Sequence, residues 1–192
     1  MRVDCFIPTI YFDFNKIMKR LNDFELIDPF ALKGNVFEML DKEWMLITAG
    51  DKETFNTMTA SWGSFGFLWR KPISIIYVRP QRHTYKFTEA NSTYTLSFFG
   101  KGNQRKALAF CGANSGRDVD KPKETGLTPV CTPGGGIAFA EARLIVECRK
   151  LYTDDIKPEM FTDVGLETEI YPTKDYHRFY IGVIEGCYAK KG

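Results

Sequence analysis

The feature that most constrains the fold of this chain is the β-branched run "ISIIYV" at residues 73–78, which follows Pro72. Branched apolar side chains favour extended backbone, and a short continuous apolar run is typical of a buried strand. The polar segment "RPQRHT" ends the run abruptly. The sequence therefore predicts a sheet with this strand in its interior.

Apolar runs on both sides of this strand predict a mainly β protein with short helices. We expect strands at residues 44–50, 56–61 and 93–99, a long one at 137–152 and a last one at 176–190. Helices are expected at 36–43, 85–90 and 104–111, with Asn35 and Asn103 as N-caps of the first and third. Segments 64–72 and 114–132 are predicted as loops.

The long run at 137–152 has two unequal faces if it is extended. One face carries Leu144, Val146 and Cys148 among small residues, while the other includes Glu141 and Glu147. Side chains alternate between the faces of a strand, and a barrel needs one apolar face toward its interior. The face with Leu144 is therefore predicted to line the core.

The length and composition indicate one ordered domain. The 192 residues are 44% hydrophobic and 15% aromatic, which suits half-buried strands and flat pockets. Residues 1–34 have only a partly helical pattern, broken by Asp28 and Pro29. We expect them to be an N-terminal extension packed on a domain of residues 35–192.

Charge, hydropathy and cysteine content narrow the functional class. A net charge of +2 gives no general attraction for nucleic acid. No apolar run approaches the length of a membrane span, and the N-terminus does not resemble a signal peptide, so we expect a cytoplasmic protein. The five cysteines are odd in number and form no CxxC pair, which argues against a disulfide framework or a metal site.

The segment "MTASWG" at residues 58–63 indicates a ligand site. Small hydroxyl and methyl side chains lead directly into an indole and a glycine. Such residues let the backbone come close to a flat ligand. Core packing of Trp62 is an equally good interpretation from burial statistics.

The segment "VRPQRHT" at residues 78–84 carries phosphate-binding groups. Arg79, Arg82 and Thr84 offer charged and hydroxyl donors just before a predicted helix. A solvated turn, with Thr84 as a simple N-cap, is the competing interpretation.

Together with "SFF" (97–99), "FCGANSGRDVDK" (110–121) and "YHRFYIG" (176–182), these segments resemble the flavin reductase-like family. Its members are FMN-binding split β-barrels, and the resemblance extends over about residues 37–185. It implies a split β-barrel fold for this chain. Residues 1–34 lie outside it.

The resemblance also implies a set of cofactor-binding residues. Segment 58–62 would lie along the flavin, Gly63 would supply a turn, and the 97–99 strand edge would run beside the ring. The implied residues are Met58, Thr59, Ala60, Ser61, Trp62, Arg79, Arg82, Thr84, Ser97, Phe98, Phe99, Ser115, Gly116, Arg117 and Lys121. Core packing of the two phenylalanines and solvated surface charge at 115–121 are the alternatives.

His177, one of two histidines, starts the last predicted strand. A proton-transfer or nicotinamide contact and a purely structural role both remain open for it. Hydride transfer to a flavin needs stacked rings more than a side-chain acid or base. No catalytic residue is therefore assigned.

The implied function is a flavin oxidoreductase that uses FMN rather than FAD. Electrons would come from NAD(P)H or a protein donor. A homodimer is expected, in which a partner covers the aromatic segment 64–69, unless that segment folds back on its own barrel. A flavoredoxin-like FMN electron carrier is the main alternative, and an oxidase of the pyridoxine phosphate type is a third.

Overall fold

The structure is a computed structural model that describes residues 21–192. These residues form ten strands: β1 Phe24–Ile27, β2 Met45–Gly50, β3 Phe55–Ala60, β4 Gly63–Leu68, β5 Lys71–Val78, β6 Thr93–Phe98, β7 Pro129–Cys131, β8 Ile137–Phe139, β9 Leu144–Asp155 and β10 Arg178–Lys190. They also form five short α-helices: α1 Val36–Glu38, α2 Thr84–Ala90, α3 Arg105–Ala113, α4 Lys121–Thr125 and α5 Val164–Ile170. No helix within this range is long and apolar enough to cross a membrane.

Eight strands form one antiparallel sheet in the order β3-β2-β6-β9-β10-β5-β4, with β1 added beside β10. β10 is long enough to pair with β5 through its first half and with β1 through its second half. The N-terminal extension was predicted as residues 1–34, and β1 lies within it. Residues 24–27 of the extension are therefore a strand of the sheet. The rest of that extension, residues 1–20, lies outside the described residues.

The sheet curves around one apolar interior. Met58 on one edge strand belongs to the buried cluster that contains Phe98 and Leu144, and Phe65 on the other edge strand packs against that cluster. Two strands at opposite edges can share a core only if the sheet closes on itself. The predicted fold class, mainly β with short helices in a split barrel, is confirmed.

The interior-facing side of β9 was predicted correctly. Leu144, Val146 and Cys148 lie in the barrel interior. Ile145 and Glu147 on the opposite face are also buried, because helix α3 and the β7-β8 hairpin cover this side of the sheet. Their apolar contacts form a second core outside the barrel.

The prediction of a loop at residues 64–72 was wrong. Residues 63–68 form β4, which pairs with β5 in a tight hairpin that places Leu68 opposite Lys71. The two turn residues, Trp69 and Arg70, have φ values of 51° and 59°. A two-residue hairpin favours two positive φ values but usually contains glycine or asparagine, so this turn carries no sequence signal.

Other boundaries differ from the prediction. The run at 137–152 is two strands, β8 and β9, separated by a turn in which the Ala142 amide donates to the Phe139 carbonyl. The predicted loop at 114–132 contains α4, capped by Asp120, and strand β7. Asn103 is not the N-cap of α3, because Gln104 occupies that position. The side-chain amide of Asn103 donates instead to the Phe99 carbonyl. The helix predicted at 36–43 is confirmed, with the Asn35 side chain as its cap and a π-helical second half.

Candidate functional site

Three strand ends meet at one corner of the barrel. Residue pairing in the β5-β10 ladder sets Val78 opposite Arg178, which makes Arg79 and His177 neighbours. Pairing in the β4-β5 ladder sets Gly63 opposite Ile76, which brings Trp62 beside Tyr77. Residues far apart in the chain are thereby gathered into one site.

A cleft of about 240 Å³ lies at this corner. It continues into a second cavity of about 420 Å³ that shares Ser61, Trp62 and Tyr77 with it. The first cavity is lined by Met58, Thr59, Ala60, Ser61, Trp62, Tyr77, Arg79, Arg82 and His177. The whole predicted segment 58–62, Arg79, Arg82 and His177 thus lie together.

One side of the cleft is the open edge of the sheet. Within the described chain, β3 pairs with β2 alone, so its other backbone edge faces no strand. Helix α3 covers part of that edge, where the Thr59 hydroxyl donates to the Leu108 carbonyl at 2.5 Å. An edge strand offers backbone donors and acceptors to a ligand as it would to another strand.

Gly63 does not supply a turn. It is the first residue of β4, and a Cβ placed there would lie 3.1 Å from the Ile75 carbonyl and from the Met45 methyl group. The missing side chain lets β4 start close against its neighbours. Trp62 is thereby held at the mouth of the cleft.

Aromatic rings form the second wall. The Trp62 ring is 5.1 Å from the His177 ring, and the Tyr77 ring stands nearly perpendicular to His177 at 6.4 Å. Trp62 is 46% exposed, which is unusual for so large an apolar side chain in a cleft. Its ring is therefore available to a flat ligand.

His177 is a buried, neutral side chain. It is 7% exposed, and its Nδ1 lies 2.9 Å from the hydroxyl of Tyr171, which follows helix α5. Burial, assisted by the charge of Arg79, lowers the pKa of His177 to about 4. The imidazole is therefore uncharged at neutral pH.

Arg79 is held by an ion pair rather than free in the cleft. Its guanidinium donates to the Asp175 carboxylate and, at 3.1 Å, to the Ile170 carbonyl. Gln81 donates to the same carboxylate. These contacts fasten segment 170–175, which includes Tyr171, against the end of β5, so Arg79 shapes the wall of the cleft.

Arg82 supplies a cation to the cleft lining. Its guanidinium donates to the Gly112 carbonyl at 2.8 Å and is half-buried. Burial lowers the pKa of Arg82, but an arginine remains charged at neutral pH. Burial also lowers the pKa of the adjacent His83, and the charges of Lys86 and Arg117 lower it further, so this corner gathers positive charge.

Thr84 and the 115–117 turn lie behind this corner. Thr84 is buried, and its hydroxyl accepts a hydrogen bond from the Asn56 side chain at 2.8 Å. A Cβ on Gly116 would sit 1.8 Å from the Asn56 amide oxygen, so a side chain there would force the Asn56 side chain to move. The Ser115 hydroxyl accepts from the Arg117 amide at 3.2 Å. Asn56 thus contacts both the predicted segment 78–84, through Thr84, and the predicted segment 115–121, through Gly116.

Lys121 is a buried side chain and not a solvated surface charge. It is 3% exposed, and its ammonium group donates to the Thr57 and Cys111 carbonyls, both at 2.8 Å. Burial lowers its pKa to about 8. Lys121 therefore ties α4 and α3 to β3 and does not line the cleft.

Of the predicted flavin contacts at 97–99, Ser97 and Phe98 lie on β6 and Phe99 follows it, and all three are buried. Phe98 packs 6.1 Å from Phe65 in the barrel interior, and Phe99 packs in the outer core. Ser97 is also buried, and its hydroxyl has no hydrogen-bond partner among the described residues. The structure places none of the three along the cleft, in agreement with the core alternative for the phenylalanines.

The sequence reasoning missed several residues of the site. Tyr77 could have been found, because it lies two residues before Arg79 and so on the same face of an extended strand. Asn56 and Gly112 enter only through contacts over long sequence separations, of which the local sequence gives no sign. Tyr171 enters through a hydrogen bond to His177, six residues later in the chain.

The fold defines this chain as a split-barrel protein with a cleft at three strand ends. The family model described as "Flavin reductase like domain" matches residues 40–191. The chain therefore belongs to the flavin reductase-like family. No curated protein matches it significantly.

Solved structures share the fold at low sequence identity. An FMN-binding protein from Thermus thermophilus, solved with p-hydroxybenzaldehyde, is 17% identical, with a TM-score of 0.61 over 86% of this chain and 82% of that one. A flavoredoxin from Methanosarcina acetivorans is 20% identical, with a TM-score of 0.60 over 86% and 77%. An NADH:FAD oxidoreductase from Streptomyces globisporus is 19% identical, with a TM-score of 0.60 over 86% of each chain.

Proposed function

We propose that this chain binds FMN in the cleft and passes electrons through it from NAD(P)H or a protein donor. The proposal rests on one observation: aromatic rings and the cationic corner around Arg82 line the same cleft. FMN has this pair of properties, a flat ring system and a phosphate. Family membership and the flavin-binding neighbours support the same ligand.

The residues present fit FMN. Trp62, Tyr77 and His177 offer ring faces for the isoalloxazine, and the open edge of β3 offers backbone groups for its polar rim. Arg82 offers a charge-assisted hydrogen bond for the phosphate. The one cationic corner around Arg82 suits the single phosphate of FMN.

FMN, when bound, would accept a hydride or single electrons and return them to an acceptor. The chain itself supplies binding and orientation. Arg82 anchors one end of the ligand, and Trp62 bounds the other. Because His177 is neutral and buried, it contributes a hydrogen bond and a ring face and no positive charge.

Electron transfer here requires no side-chain acid or base. Hydride transfer between stacked rings depends on their distance and alignment, which the rigid strand ends provide. The cavity at Ser64 and Ile156 shares Ser61, Trp62 and Tyr77 with the first. We place the electron donor or acceptor there, beside Trp62.

Steady-state oxidation of NADH and NADPH with added FMN tests the reductase. Rapid oxidation that depends on free flavin supports a reductase. A purified protein that is yellow, keeps its flavin and oxidises neither nucleotide is instead an electron carrier of the flavoredoxin kind. A colourless protein that binds no flavin contradicts both functions.

A homodimer is part of this proposal. β4 is an edge strand within the described chain, and Phe67 and Trp69 are 62% and 54% exposed. A second copy packed on this edge would bury both rings. Sedimentation of the wild type and of Phe67→Ser at equal concentration tests it, since the variant should shift toward monomer.

A further inference from the structure

The buried pair Tyr171 and His177 fixes the position of a proton. Both side chains are buried, and the Tyr171 hydroxyl lies 2.9 Å from His177 Nδ1. This is a hydrogen-bond distance, but either atom could be the donor. The direction of the bond decides which ring nitrogen of His177 carries hydrogen in the neutral imidazole.

Only one direction leaves no buried donor without a partner. If Nδ1 donated to the phenol oxygen, the phenol proton would need an acceptor, and no other described residue bonds that hydroxyl. A buried donor without a partner costs about 1–3 kcal/mol. If Tyr171 donates to Nδ1, the hydrogen lies on His177 Nε2, which has no partner in the described chain. His177 is one of the residues that line the cleft.

We propose that Tyr171 is a positioning residue that holds His177 as its Nε2–H tautomer, so that the cleft presents a fixed hydrogen-bond donor between the rings of Trp62 and Tyr77. Such a donor fits the carbonyl oxygen of a flat ring ligand. Two sources of that oxygen are consistent with the proposed function, on which this role in binding rests: the flavin itself and the carboxamide of a nicotinamide donor.

Tyr171 is itself held in place. The Arg79 guanidinium lies 5.3 Å from the centre of its ring, and the same guanidinium bonds the carbonyl of the preceding Ile170. Asp175 completes this arrangement through its ion pair with Arg79. Burial raises the pKa of Tyr171, which keeps the hydroxyl protonated and able to donate.

Long-range ¹H–¹⁵N correlation spectra of ¹⁵N-histidine-labelled protein without ligand test the tautomer directly. The chain has only two histidines, so His83→Gln assigns the signals of His177. We expect Nε2–H in the wild type and a mixture of tautomers in Tyr171→Phe, which keeps the ring and loses the donor. An Nδ1–H signal in the wild type, or an unchanged pattern in Tyr171→Phe, overturns the proposal.

Titration of the same labelled protein tests the donor. A shift of the Nε2 signal on adding FMN alone identifies the flavin as the source of the carbonyl, and a shift only on further addition of NAD⁺ identifies the nicotinamide. Tyr171→Phe should weaken the binding of that ligand about three- to tenfold. An Nε2 signal that responds to neither overturns the donor role. Failure of FMN to bind contradicts the proposed function, whereas the ligand-free spectrum still decides the tautomer.

Discussion

The ammonium group of Lys121 donates a hydrogen bond to the backbone carbonyl of Thr57 at 2.8 Å, from a helix to the open edge of β3. A second bond of equal length joins the same ammonium to the Cys111 carbonyl at the end of α3. One buried side chain therefore links α3, α4 and the edge strand that forms one side of the cleft. The cleft depends on this link, although Lys121 does not line it.

Lys121→Met should lower the free energy of unfolding by about 1–3 kcal/mol, because two buried carbonyls lose their donor. FMN and riboflavin should lose affinity in equal proportion, since the residue positions β3 and does not bind the phosphate. Chemical denaturation and flavin titration measure the two effects. Lys123→Met, at an exposed position of the same helix, is the matched control. A loss confined to FMN would show that Lys121 contacts phosphate.

Ala60→Leu should abolish flavin binding while the barrel remains folded. Ala60 lines the cleft and is half-buried against the interior cluster, so a larger side chain has two directions to take. Toward the cleft it would occupy ligand volume, and toward the core it would cost about 1–3 kcal/mol of stability. Visible absorbance and thermal melting separate these outcomes.

Ala60→Ser provides the control for this substitution, because it keeps a small side chain and should keep the flavin. A yellow but clearly destabilised Ala60→Leu protein would mean that the 58–63 segment serves packing and not the ligand.

Local sequence was sufficient for the elements whose signals are local. The β-branched residues 73–78 formed the predicted strand, and Asn35 capped the predicted helix. The hairpin at Trp69 and Arg70 was missed, since its positive φ values are imposed by the pairing of β4 with β5 and not by turn-forming residues. The β4-β5 hairpin therefore depends on strand pairing and not on a local turn signal.

The residues of the candidate site also divide into those that local sequence indicates and those that only the folded chain brings to the site. Segment 58–62 and Arg82 were found because their residue types suit a flat, phosphorylated ligand, and the strand ends do bring them together. Lys121 was predicted as a cofactor contact, with solvated surface charge as the alternative, because a lysine in a polar segment gives no sign that two backbone carbonyls will enclose it. Asn56 and Tyr171 act through contacts that only the folded chain creates.

Stability should fall as the pH drops from about 6.5 to about 4. The pKa of His177 is about 4 in the folded chain against 6.5 for an ordinary histidine. In that window the unfolded chain binds a proton that the folded chain does not, and protonation therefore favours unfolding. The full effect of such a shift is about 3 kcal/mol.

Urea denaturation at several pH values measures this dependence. His177→Gln should flatten the profile relative to the wild type, because the other titrating groups are common to both proteins. Parallel profiles would contradict the assignment of His177 as the buried neutral group.

The most direct test of a flavin phosphate at Arg82 is the calorimetric titration of wild type and Arg82→Ala with FMN and with riboflavin, which lacks the phosphate. Loss of a charge-assisted hydrogen bond, worth about 1.5–3 kcal/mol, should weaken FMN binding about ten- to hundredfold. Riboflavin affinity should change little, because the ring-lined part of the cleft is intact. Equal losses for both ligands, or no binding of FMN to the wild type, would contradict the account.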